Sequence, residues 1–334
     1  MSLVPPPALI IRGSEVAALM DHAAYLTAVE AGFRSYANGD ACVPMPMHIP
    51  AQDGGFHAKG ALVVLDRPYV AVKVNGNFPE NPHRTGLPTI QGAVLLFDAA
   101  AGSLLAVIDS IEITLRRTAA ASALAARYLA RADADSIAIC GCGDQGRSQL
   151  AALAEVVTLK RAFAWDISMD KARDFAREMR GALGLEVTAV PHVYDATRRS
   201  DIIVTATSAQ RPFLTKDCVS AGTFVAAVGA DSPNKSELAA ELLAASKVVV
   251  DVLAQCAVMG DLHHALDAGL LSATDVHAEL GDLVVGRKPG RTNPREITVF
   301  DSTGVAVQDA ASAAWVYQRA VARNIGMPIS LGAA

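Results

Sequence analysis

Residues 136–146 read SIAICGCGDQG, an apolar run followed by Gly141-Cys142-Gly143-Asp144-Gln145-Gly146 and then by a helical pattern. This spacing asks for a strand, a tight turn and a helix. The first glycine permits the turn, the second lets backbone approach a pyrophosphate, and the third lets the helix pack on the strand. The positive N-terminal end of the helix then faces the phosphates. The next strand-like run, RAFAWD, ends in Asp166, at roughly the 20-residue offset where an acid binds ribose hydroxyls. A carboxylate there favours NAD, because the 2′-phosphate of NADP would meet like charge; Lys171 and Arg173 nearby leave NADP open. A glycine-rich turn whose strand-end aspartate caps the next helix is the alternative without a ligand.

Around this motif, apolar strands alternate with helical stretches: SIAICG, a helix from about Asp144, RAFAWD, a helix from about Ser168, EVTAV, DIIVTAT, FVAAVGA and KVVVDV. That alternation implies a parallel sheet covered on both faces, a doubly wound α/β fold of Rossmann type. The preceding segment has a different character. Apolar residues recur at helical spacing from Ser14, a candidate N-cap, to about Ala37, as one amphipathic entry helix. ALVVL, VAVKVNG and GAVLLFD follow as β-like runs, the last turning through AAAGS into LLAVID as a hairpin. TLRRTAAASALAARYLARA is a long helix with Thr114 as a possible N-cap. ITVFDSTGVAVQDAASAAWVYQRAVARN adds a strand and a helix that returns to the first domain. The expected organisation is a smaller α+β substrate-binding and dimerisation domain over 1–115, completed by 305–334, with a dinucleotide-binding domain over 116–304. At 334 residues the chain is long enough for both cores.

A formal charge of −5 with scattered basic residues offers no footprint for a phosphate backbone, so nucleic acid is not an expected partner. Cys42, Cys140, Cys142, Cys218 and Cys256 form neither an even framework nor a CxxC pair and read as reduced thiols. MSLVPPPALIIRG lacks the features of a secretory leader, and no apolar run approaches the ~20 residues that span a bilayer. The expectation is a soluble cytoplasmic protein without a membrane partner.

Four charged residues stand out. Lys73 lies in the apolar run VAVKVNG, either snorkelling from a strand end or held as a cation for a substrate carboxylate or as an acid/base group. Arg116 and Arg117 open the long helix where its dipole disfavours cations, so an anion is implied: a ligand phosphate or carboxylate, or a neighbouring Asp109 or Glu112. Asp231 follows FVAAVGA at the carboxyl edge of the sheet, where ligands bind in such folds; capping through Ser236 and Glu237 is the alternative.

KVNGNFPEN, the Gly86-Leu87-Pro88-Thr89 turn, RRTAAAS, ICGCGDQG, VGADSPNKSEL and ITVFDSTG, in that order, resemble the ornithine cyclodeaminase/mu-crystallin family over nearly the whole chain. The resemblance implies an N-terminal substrate domain, a Rossmann domain, a C-terminal return and a homodimer. It gives Lys73 a place at the reacting carbon and makes Asp231 the general acid/base. Lys235 would lie beside the cofactor, and Arg117 would bind cofactor phosphate and the substrate carboxylate. Asp144 and Gln145 would line the pyrophosphate, Asp166 the adenine ribose, and Thr89 and Ser302 the nicotinamide side. Thr207 and Val228 complete the cofactor set.

One departure concerns Val43-Pro44-Met45-Pro46-Met47, where family members often carry Arg or Lys; Lys59 in FHAKGALV is the candidate replacement if it faces the same pocket. His57, His83, His263 and His264 lack metal-ligand spacing and read as surface or loop residues, so no metal is expected. Ser302 lacks the glycine frame of a hydrolase nucleophile. The expected chemistry is hydride transfer to the carbon of a small 2-imino or keto acid, as in an amino-acid dehydrogenase or ketimine reductase. Ornithine cyclodeaminase with catalytic NAD and a non-catalytic NAD(P)H-binding protein of mu-crystallin type are the alternatives.

Overall fold

The computed structural model describes residues 7–331; residues 1–6, which open the N-terminal run read for a leader, and 332–334 lie outside the described residues. Two compact units divide the chain, Met1–Arg117 with Val305–Ala334 and Thr118–Gly304. The first boundary falls inside a single helix, two residues beyond the expected 115/116.

The first unit begins with β1 (Ala8–Ile11), α1 (Gly13–Leu19) and α2 (His22–Ala37). The one entry helix expected from Ser14 is therefore two. Met20 is extended, and Asp21 restarts the helix by accepting a hydrogen bond from the Ala24 N–H at 2.8 Å. A new cap outcompetes continuous apolar periodicity here. Ser14 sits inside α1 and caps nothing. Then come β2 (Ala41–Cys42), β3 (Met47–Ala51), β4 (Gly54–Val64), β5 (Pro68–Asn77), the single turn α3 (Asn81–Arg84), β6 (Ile90–Asp98) and β7 (Leu104–Asp109). The β6–β7 pair is the hairpin expected through AAAGS. The long helix α4 (Ser110–Leu129) starts four residues before Thr114, where the Asp109 carboxylate accepts from the Ile111 N–H at 2.9 Å.

The second unit is the doubly wound sheet. Its strands β8 (Ser136–Cys140), β9 (Arg161–Trp165), β10 (Glu186–Ala189), β11 (Ile202–Thr205), β12 (Phe224–Ala227), β13 (Lys247–Val250), β14 (Ala278–Glu279) and β15 (Thr298–Asp301) run parallel in the order β10-β9-β8-β11-β12-β15-β13-β14. The connections carry α5 (Asp144–Ala154), α6 (Met169–Leu183), α7 (Val193–Thr197), α8 (Ala240–Ala244), α9 (Leu253–Cys256), α10 (Asp261–Asp267) and α11 (Leu280–Val284). Residues of β8, β11, β12 and β15 are fully buried, which is why these runs read as continuous hydrophobics rather than alternating ones. The chain leaves β8 toward β9 on one side and later returns to β11 on the other. The carboxyl ends of β8 and β11 thus flank the topological switch point, where open α/β sheets take their ligands.

The chain then rejoins the first unit with α12 (Ala306–Arg323) and β16 (Met327–Ile329). The sheet order there is β16-β1-β7-β6-β5-β4-β2, with β3 also paired to β4. Helix α12 packs on α2 and across β4 and β5. Its alanines, with Tyr25, Val29 and Phe33 of α2 and Ala61, Val63, Ala71, Val94 and Leu96 of the sheet, form the buried side of this layer.

Candidate active site

In the second unit the Gly141–Gly146 turn follows β8 and opens α5. Each glycine is required for its own reason. Gly141 has φ +106°, a left-handed conformation that disfavours side chains, and a Cβ there would collide with the Ala206 carbonyl. A Cβ on Gly146 would collide with the Gly141 carbonyl. Gly143, the N-cap of α5, faces open space instead. The chain thus keeps a bare backbone and free helix N–H groups at the one glycine that no packing demands, which fits a pyrophosphate.

Beside this turn lies a cavity of about 750 Å³ lined by Gly141, Gly143, Asp166, Lys171 and Thr207, among others. Asp166 follows β9 and accepts from the Cys142 N–H at 3.0 Å and the Ser168 N–H at 2.9 Å, so its carboxylate is tied to the glycine turn. Ser168, rather than Asp166, is the N-cap of α6. Asp144 is exposed at the start of α5, and Gln145 buries an Nε2 that has no partner among the described residues. Thr207 is held from behind. Glu237, fully buried, accepts from the Thr207 N–H and hydroxyl, both at 2.6 Å, and from the Gly229 N–H at 2.9 Å.

The remaining cofactor candidates of this unit do not line the cavity. Val228 is buried and donates its N–H to the Thr205 carbonyl. Buried Ser302 donates to Asp251 at 3.3 Å. Asp231 is half exposed and receives the Lys235 ammonium at 2.6 Å. It takes no capping part through Ser236 and Glu237: the Glu237 and Leu238 N–H groups go to Asp261, at 2.7 and 3.0 Å. Among the described residues no group of three or more His, Cys, Asp or Glu is placed to hold a metal. His263 and His264 are not surface or loop residues as expected. They lie in α10 with ring centroids 3.7 Å apart, and His263 is buried against the Gly260 carbonyl.

In the first unit the charged residues converge. Lys73 sits in the middle of β5, 4% exposed, which rules out snorkelling from a strand end. Its ammonium donates to Asp309 Oδ1 at 2.8 Å and to the Thr114 hydroxyl at 3.2 Å. Arg117, from α4, donates Nε–H to the same Asp309 oxygen at 2.9 Å and a terminal N–H to Gln308 Oε1 at 2.7 Å. The two arginines at the head of the long helix therefore have different anions. Arg116 pairs with Glu112 at 2.8 Å, a structural solution, while Arg117 turns into the cluster. Lys59 is the direct cross-strand partner of Lys73, so it shares the face. Burial, aided by Arg117 and Lys59 and opposed by Asp309, pushes the Lys73 ammonium down to about 7. Burial works to raise the Asp309 carboxyl, but Arg117 and Lys73 hold it below its ordinary value. Thr89, half-buried, belongs to this unit and accepts the Phe78 N–H through its carbonyl.

Residues 8–324 match the ornithine cyclodeaminase/mu-crystallin family. The chain belongs to that family. Within it, the chain is 36% identical over 323 residues to the alanine dehydrogenase of Archaeoglobus fulgidus, covering 96% of this chain and 98% of that one. Its fold is similar to that of a chain of an archaeal alanine dehydrogenase solved as a dimer with bound NAD, at 35% identity and a TM-score of 0.92 over 97% of this chain and 99% of that one. The Thermococcus litoralis Δ1-pyrroline-2-carboxylate reductase, solved with NADH and L-proline, matches at 34% identity and a TM-score of 0.92, covering 96% and 100% of the two chains. Sequence reasoning missed Asp309 and Glu237. Asp309 has a signal in hindsight, as an acid among the alanines of QDAASAAWV; Glu237 has only its place in a motif whose aspartate drew attention first.

Proposed function

We propose that the protein is an NAD-dependent oxidoreductase acting on a small amino acid or its imino or keto form, as an amino-acid dehydrogenase or ketimine reductase. The observation that carries this reading is the buried meeting of Lys73, Arg117 and Asp309 beside Lys59. Two cations, Lys73 and Arg117, on the one carboxylate of Asp309 leave positive charge for a ligand carboxylate. Gly143, the N-terminus of α5 and Asp166 would hold the dinucleotide, which when bound supplies the hydride. Asp166 favours NAD over NADP.

In the direction of reduction, the 2-imino carbon accepts hydride, the substrate nitrogen keeps or gains a proton, and the carboxylate stays bound to the cations. Lys73, poised near neutrality, can hold that carboxylate when charged and exchange a proton near the reacting centre. Asp231 is the general acid/base of the proposal; its half exposure and its pairing with Lys235 allow it to trade protons with water. Lys59 takes the place of the basic residue missing from 43–47. These assignments, like those of Thr89, Val228, Lys235 and Ser302 to the cofactor, are proposals.

The first unit is proposed as the substrate and dimerisation domain. The sheet face opposite Lys73 is apolar: Val72, Leu95 and Val107 form one cross-strand row, and Ile49, Phe56 and Val74 beside it are 39–50% exposed. A second copy of the chain is its proposed occupant, as in the archaeal relative solved as a dimer. No helix among the described residues is long and apolar enough to cross a membrane, and their cysteines are unpaired, which supports a soluble protein of a reducing cytoplasm.

The test is NADH consumption with pyruvate, glyoxylate, oxaloacetate and cyclic ketimines, with ammonia or methylamine, repeated with NADPH. Net oxidation of NADH supports the reading. Ornithine converted to proline without net cofactor change would replace it, and NADH binding without turnover of any acceptor would make the protein a binder.

A further inference from the structure

We infer that Asp309 is a positioning residue of the anion site, fixing Lys73 and Arg117 on one oxygen so that their remaining N–H groups point to a bound carboxylate. The inference deepens the reading above and rests on it for the nature of the ligand. It stands on three observations. First, Asp309 is buried and its carboxylate is tied to both Lys73 and Arg117, so it acts through the residues it binds. Second, Lys73 Nζ and Arg117 Nε, from different elements, meet on the same atom, Asp309 Oδ1, at 2.8 and 2.9 Å. Third, the second oxygen, Oδ2, is buried with no hydrogen-bond partner among the described residues. Such an orphan costs on the order of 1–3 kcal/mol, so packing alone does not account for a carboxylate here.

The donor arithmetic gives the geometry its use. An ammonium has three N–H groups, and Asp309 with Thr114 takes two of Lys73's, leaving one. Arg117 spends Nε–H on Asp309 and one terminal N–H on Gln308, leaving the rest of its fork. Without the shared oxygen, Lys73 and Arg117 would repel, and Lys59 across the strand would add to that. The charged groups that act on Lys73 are Asp309 of α12, Arg117 of α4 and Lys59 of β4; His57 of β4, Tyr69 of β5 and Asp98 of β6 lie farther along the same face.

Asp309→Asn keeps the shape and removes the charge. The test measures binding of oxalate, a carboxylate probe that accepts no hydride, by calorimetry from about pH 5 to about pH 9. Wild-type binding should fall as Lys73 deprotonates, with a midpoint near 7. In Asp309→Asn the midpoint should move down by about one unit or more, an affinity loss of about tenfold at neutral pH. Asp309→Glu, which keeps the charge but displaces the oxygen, should leave the midpoint in place and weaken binding at every pH.

Unshifted midpoints with unchanged affinity in both variants overturn the inference, as does failure of wild-type protein to bind oxalate. If Asp309→Asn does not fold, Asp309→Glu decides: wild-type affinity in that variant overturns it. Because oxalate needs no turnover, failure of every imine or keto acceptor would sink the proposed activity while leaving this result standing.

Discussion

Lys59 and Lys73 stand directly opposite one another on adjacent antiparallel strands, a like-charge pair on the sheet face that α12 covers. Cross-strand partners have Cβ atoms about 4.5–5.5 Å apart, and like charges so placed are destabilising. Lys59 is one of the cations that hold Lys73 near 7. Lys59→Met should therefore raise the Lys73 pKa and move the alkaline limb of kcat/KM for imine reduction to higher pH, while raising KM about tenfold through the lost cation. An alkaline limb that stays in place with KM unchanged would remove Lys59 from the site.

Lys73→Met should lower kcat by about 10²–10⁴, the usual range for a lost acid/base group. NADH affinity, read by fluorescence titration, should stay at the wild-type value. Loss of NADH binding in this variant would place Lys73 in the dinucleotide site instead.

The glycines of the turn make opposite predictions. Gly143→Ala adds a methyl group in open space, so thermal stability should hold while NADH affinity falls at least about tenfold. Gly146→Ala drives a methyl group into the Gly141 carbonyl, and the overpacking should cost about 1–3 kcal/mol of stability. Thermal unfolding with and without NADH separates the two.

Val72 lies in the apolar row, on the same strand face as the exposed Val74. Val72→Glu should convert a dimer into a monomer in sedimentation experiments, because a charge would be buried without a partner. An unchanged molecular mass would show that this face is not the contact.

The buried carboxyls of the second unit predict a pH signature in stability. Burial, and for Glu237 also the neighbouring Asp261, holds Glu237 and Asp261 above their ordinary values. The folded state then binds more protons than the unfolded state between the ordinary carboxylate value and neutrality, so stability contributed by these groups falls as pH rises through that window. Glu237→Gln should flatten that slope, measured as the unfolding free energy at acidic and neutral pH. It should also weaken NADH binding, since Glu237 anchors Thr207 at the cavity wall.

What could be read from the residues alone depended on whether a local pattern controlled the outcome. The parallel sheet and the Gly141–Gly146 turn were legible because buried strands are uniformly apolar and because Gly141 and Gly146 leave no room for a side chain. Lys73 and Arg117 were visible as charges in the wrong setting, and Lys59 only as the replacement that the family resemblance suggested. Asp309 was not, because its partners are 236 and 192 positions away and nothing in its own helix names them. Similarly, α1 and α2 share one apolar periodicity, and only the capping carboxylate of Asp21 separates them. The rows of short strands β2 and β3 follow from pairing with β4, which no local propensity in VPMPMHIP announces.

The return of α12 also sets an order of events during synthesis. The sheet strands that carry Lys59 and Lys73 leave the ribosome first, then the whole of the second unit, and only then the helix that covers them and brings Asp309. Domains tend to form as units as they emerge, so the second unit can close while the first still waits for its last layer. A nascent chain halted before Val305 would leave two lysines and an apolar sheet face open to water, a species for chaperones to guard. The meeting of Lys73, Arg117 and Asp309 thus waits for the last helix of the chain.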